Sequence, residues 1–185
     1  MTGTGSGRPG RQRMAVYQDI ARICDLLRSE LYGNGYRYGF CLDGCVMIPD
    51  ASKGFDEAFG RLLAARYRIQ PPELTKKAKA ATCLDAVLVM KDILNEKGIG
   101  SRIWLVFEQE RKKPHAVLTF RADQAVVYLE LTPQSGKENY GKELVFENTD
   151  AFIRYWEQRN YLVREITDLC VPGRRPDFFL SACGL

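Results

Sequence analysis

The chain has 185 residues, 45% of them hydrophobic, with 27 Lys and Arg set against 23 Asp and Glu. That length supports one domain with a sizeable core. Its mild positive charge, with no patch where cations interleave with aromatics, argues against nucleic-acid binding. No apolar run is long enough to span a membrane, and the single histidine, His115, rules against a His-rich metal centre.

The Gly-, Ser- and Thr-rich opening lacks an apolar core of the secretory type, so residues 1–13 read as a disordered leader and 14–185 as a single domain. Without a secretory signal the protein is expected in the cytoplasm. The six cysteines, 24, 41, 45, 83, 170 and 183, are then expected as thiols. Cys41 and Cys45 are spaced like half a zinc site, but no second pair completes it.

From Met14 to Tyr32 the apolar residues Val16, Ile20, Ile23, Cys24, Leu27 and Leu31 recur at helical spacing, ending at Gly33-Asn34-Gly35. Residues 36–50 read as strand or irregular structure, because Gly39, Gly44 and Pro49 crowd out a helix. A second amphipathic helix is expected over 55–67. The paired prolines at 71 and 72 predict a loop through Ala80, its lysines a solvated face.

The stretch that follows carries the strongest signal. Thr82 suits an N-cap and Asp85 the first turn, while Gly98 stops the helix. Ala86, Val89, Met90 and Ile93 form one apolar stripe, widened by Val87 and Leu94, so this helix is expected to be buried and central. Residues 101–108 form a near-continuous apolar run, as in a strand covered on both faces. Two alternating segments around Arg121–Gln124 predict a hairpin. Asn148 or Thr149 starts a further helix near 150–158, residues 161–167 read as a last strand, and the tail shows no period. Helices followed by an antiparallel sheet make the class α+β.

A thiol in the first turn of a helix meets the positive end of the helix dipole, which favours the reactive thiolate. Cys83 has that placement. Cys41, which begins an identical Cys-Leu-Asp triplet, does not, because Gly44 and Pro49 prevent a helix after it. Activation also needs a base, and His115 is the sole imidazole. A third group normally fixes the ring. With the hairpin loop centred between Ala122 and Asp123, Glu130 falls directly opposite His115 on the same sheet face. Separately, each residue has an ordinary explanation: a core thiol, a strand-edge His, a solvated Glu. Their joint order is what those explanations do not predict.

The segments "TCLDAVLVMKDILNEKGIGSRIWLVF", "PHAVLTF" and "VVYLELTPQ" resemble the core of the transglutaminase-like superfamily of papain-like cysteine enzymes. The resemblance spans roughly residues 80–135. It implies a papain/transglutaminase-like fold, with a central Cys-bearing helix packed on an antiparallel sheet and additional helices N-terminal to it. It also implies a catalytic Cys83, His115 and Glu130, neither metal nor organic cofactor, and a peptide or protein substrate. Glu130 stands where that family usually has Asp, and Ala116 and Val117 follow His115 where an aromatic is common. The implied activity is thiol acyl transfer to water, as a peptidase, amidase or deamidase. The alternatives are an amine-accepting transglutaminase, a leader protease of the lasso-peptide type, or an inactive binding or scaffold domain. The oxyanion would be held by the Cys83 backbone N–H, with Gln70 as a candidate side-chain donor.

Overall fold

The computed structural model describes residues 9–50, 57–108, 113–133 and 139–184. Helix α1 runs Pro9–Leu31, starting before the expected Met14 because proline is well suited to the first helical turn. Residues 1–8 of the expected leader lie outside the described residues. Three short strands follow: β1 Arg37–Tyr38, β2 Phe40–Leu42 and β3 Cys45–Met47. β2 and β3 form a hairpin whose turn is Asp43-Gly44, both at positive φ (49° and 80°), the pairing that a two-residue hairpin turn favours. Helix α2 is Glu57–Arg66.

The stretch expected as a loop is instead helix α3, Pro72–Ala78, with Pro71 at its N-cap and Pro72 just inside it. Proline lacks the N–H that a first-turn residue would leave unpaired anyway, so the prolines start this helix where they would have broken a longer one. Strand β4, Ala80–Ala81, pairs in parallel with β1 and leads straight into α4, Cys83–Glu96.

The main sheet has five strands: β5 Ser101–Glu108, β6 Lys113–Ala122, β7 Ala125–Leu129, β8 Glu143–Phe146 and β9 Tyr161–Glu165. Their spatial order is β8-β7-β6-β5-β9, with every pair antiparallel. The molecule is therefore α+β. Helix α5, Thr149–Glu157, is capped by Asn148, whose side chain accepts from the Ala151 N–H. A 3-10 turn at Thr167–Leu169 follows β9, and the tail that showed no period holds helix α6, Asp177–Cys183. Seven residues are too few to display a helical repeat. Among the described residues no helix is long and apolar enough to cross a membrane.

Both faces of the sheet are covered. Ile103, Leu105, Ala116, Leu118, Phe120, Val127, Leu129 and Leu131 share one core with α1, α4 and α6. Trp104, Val106, Val117, Val126 and Tyr128 share the other with Phe152 and Trp156 of α5. This explains why β5 reads as continuously apolar: alternate residues serve two separate cores.

Candidate functional site

Helix α4 begins with a complete capping box. The Thr82 side chain accepts from the Asp85 N–H, and the Asp85 carboxylate accepts from the Thr82 N–H, satisfying two helix-start donors reciprocally. Asp85 does more than cap. Its Oδ1 accepts from Tyr67 Oη at 2.8 Å and the Gln70 N–H at 2.9 Å. Its Oδ2 accepts from Gln70 Nε2 at 2.9 Å, the Thr82 N–H at 3.0 Å and Thr82 Oγ1 at 2.8 Å. Burial pushes the Asp85 carboxyl above its ordinary range, opposed by hydrogen bonds from Gln70, Thr82 and Tyr67. The network fixes the first turn of α4, and so the backbone of Cys83.

Gln70 belongs to this network. It is 2% exposed, its Nε2 is engaged by Asp85, and its Oε1 accepts from the Cys41 N–H at 2.8 Å. The side chain considered as an oxyanion donor is thus a buried tie between the β2–β3 hairpin and the start of α4. The two Cys-Leu-Asp triplets have different duties: Asp43 makes a hairpin turn, while Asp85 caps a buried helix.

Cys83 occupies the first position of α4 and is 3% exposed. Four other side chains, Cys170, Cys183, Tyr38 and Tyr67, are raised in part by its proximity. Burial first, then Cys83, raises the thiols of Cys170 and Cys183, each to about 12. Burial and then Cys83 also raise the Tyr38 hydroxyl. Cys83 therefore lies near the C-terminal segment on one side and β1 on the other.

His115 lies near the start of β6, and its Nε2 is 2.5 Å from Glu130 Oε2. Glu130 is almost completely buried, its side chain 3% exposed against 13% for His115. It also accepts hydrogen bonds from the Tyr128 hydroxyl, at Oε2 and 3.1 Å, and from the Thr132 N–H, at Oε1 and 2.9 Å. A buried carboxylate held by two further donors is a rigid acceptor, suited to fixing the orientation of the ring.

The hairpin that brings the pair together has a different register from the expected one. Thr119 pairs with Tyr128 and Ala122 with Ala125, so the turn is Asp123-Gln124, with Asp123 at φ 56°. His115 and Glu130 are diagonal neighbours instead of directly opposed. The offset is two residues, which preserves the face of every side chain, and both groups are long enough to meet across the diagonal.

The face is informative. His115 pairs with Val106, and Val106, Val117 and Tyr128 belong to the α5 core. The His115–Glu130 pair thus leaves the sheet on the α5 side. Cys83 belongs to the opposite core, with Ala116. Cys83 and His115 therefore lie on opposite sides of the sheet.

No protein-family model and no curated protein matches this chain. The arrangement offers a thiol at a capped helix start, and an imidazole bound to a buried carboxylate on the other face of the sheet. It also offers a tyrosine hydroxyl near the thiol. Sequence reasoning missed Tyr38; its signal was the strand "RYGF" running beside the residues that precede Cys83.

Proposed function

We propose that the protein is a thiol-dependent acyl-transfer enzyme of the papain/transglutaminase-like kind. Cys83 attacks an amide carbonyl, His115 carries the proton, and Glu130 orients His115. The observation that carries this reading is the 2.5 Å contact between His115 and a buried glutamate. A surface histidine has no need of a carboxylate that is itself fixed by Tyr128 and Thr132. The capped start of α4 supports it further, since first-turn N–H groups without a helical partner can hold an oxyanion beside the thiol. Water as acceptor makes the enzyme a peptidase, amidase or deamidase acting on a peptide or protein, working without metal or organic cofactor. The cytoplasm suits an enzyme that depends on a free thiol.

The test is acylation by p-nitrophenyl acetate, a minimal acyl donor. The reading predicts a burst of p-nitrophenolate and a +42 Da acetyl group (roughly, one acetyl replacing one hydrogen) on the Cys83 peptide. Both are lost in Cys83→Ser and strongly reduced in His115→Ala. Acetylation spread evenly over the six cysteines would refute it.

A second reading, a non-catalytic binding or scaffold domain, is favoured by one observation: Cys83 is only 3% exposed, and His115 leaves the opposite face of β6. On that reading the His115–Glu130 pair only closes the sheet end. The same acylation experiment separates the two.

A further inference from the structure

We propose that the Tyr38 hydroxyl is the side-chain oxyanion donor of the Cys83 site, acting beside the Cys83 backbone N–H. The inference rests on the thiol acyl-transfer reading and assigns a residue that the sequence did not single out. Three observations carry it. The first is backbone placement: β1 pairs with β4 so that Tyr38 stands beside Ala81, and the Gly39 N–H donates to Ala81 O at 3.3 Å. Ala81 is followed by the cap Thr82 and then Cys83. The tyrosine is thus tied to the strand that delivers the thiol.

The second is the state of the side chain. Its half-buried ring packs on Phe59, with centroids 6.2 Å apart, while its hydroxyl donates to no acceptor among the described residues. Tyr67, by contrast, is fully engaged by Thr82 and Asp85, and Tyr128 by Glu130. Tyr38 is the tyrosine near Cys83 with a proton to offer.

The third is electrostatic. Burial, then the charges of Cys83, Cys183 and Asp85, hold the Tyr38 hydroxyl well above the ordinary tyrosine range. It therefore keeps its proton at neutral pH, as a hydrogen-bond donor must. Gln70 cannot take this role without abandoning Asp85 and Cys41.

In the step envisaged, the Cys83 sulfur forms a bond to the carbonyl carbon, and the π pair moves onto oxygen. Tyr38 and the Cys83 N–H donate hydrogen bonds to that oxyanion without transferring a proton. When the carbonyl reforms, the bond to the leaving group breaks with its electron pair. An amine leaving group takes its proton from His115; p-nitrophenolate needs none.

Two probes of the same thiol isolate the effect. Acetylation by p-nitrophenyl acetate passes through an oxyanion, whereas alkylation by iodoacetamide is a displacement at saturated carbon and does not. In Tyr38→Phe, which keeps the ring on Phe59, acetylation of Cys83 should fall about 10²–10³-fold, the usual effect of removing one oxyanion donor. Alkylation of Cys83 should stay within about twofold of wild type, so the ratio of the two rates carries the result. Equal changes in both rates, or no change in either, would overturn the assignment of Tyr38 while leaving Cys83 as nucleophile. Failure of wild-type Cys83 to react with either probe would instead remove the acyl-transfer reading, and the Tyr38 proposal with it.

Discussion

Replacing Asp85 by Asn tests how the start of α4 is held. The two carboxylate oxygens accept five hydrogen bonds from Tyr67, Gln70 and Thr82. Asparagine retains one accepting oxygen and turns an NH2 group toward donors. In its better orientation it keeps the three bonds of Oδ2 and loses the two of Oδ1. Hydrogen bonds to a buried charge are worth about 1.5–3 kcal/mol each, so the gross loss is about 3–6 kcal/mol. Relief from burying a charge offsets part of this, leaving a net destabilisation of about 2–4 kcal/mol. The pH dependence has a definite sign. Burial raises the folded-state pKa of Asp85 above its ordinary 3.8, so as pH rises the unfolded chain loses this proton first. The proton-linked stability is full below 3.8 and declines as pH rises through the folded-state value. Urea denaturation followed by far-ultraviolet circular dichroism at several pH values measures both. A loss below about 0.5 kcal/mol, within the range of ordinary surface changes, would refute the account of the network. So would a gap between wild type and variant that widens as pH rises.

Other substitutions probe neighbouring parts. A Cβ at Gly39 would stand 2.3 Å from Met47 O, so Gly39→Ala should cost about 1–3 kcal/mol in the same denaturation assay, the usual penalty for overpacking. A neutral result would place the β2–β3 hairpin elsewhere. Glu130→Gln preserves size but removes the charge beside His115; it should slow Cys83 acetylation about 10²-fold or more while the circular dichroism spectrum stays native. An unchanged rate would reduce the His115–Glu130 contact to a structural pair.

How far the sequence reveals this depends on how local each signal is. The start of α4 was legible because a capping box lies within four consecutive residues, Thr82 to Asp85. The two-core character of β5 was legible as an unbroken apolar run. The hairpin was legible in kind but not in register, because Asp123 tolerates positive φ and moves the turn to Asp123-Gln124. Helix α3 was missed because prolines that terminate one helix can begin another. Helix α6 was missed because its burial by Phe179 and Leu180 is tertiary. The hardest feature was Gln70. Whether a loop glutamine is solvated or enclosed depends on Asp85, fifteen residues further along the chain, and no local pattern encodes that.

The central claim is that His115 makes Cys83 the reactive thiol of this chain, and limiting iodoacetamide at neutral pH with peptide mapping tests it most directly. Exposure alone favours Cys45, which is exposed, over Cys83, which is buried. The account predicts the reverse order in the wild type: Cys83 is alkylated ahead of Cys41 and Cys45, and its advantage disappears in His115→Ala. Labelling that follows exposure, with Cys45 first and Cys83 indifferent to the His115 substitution, would contradict it.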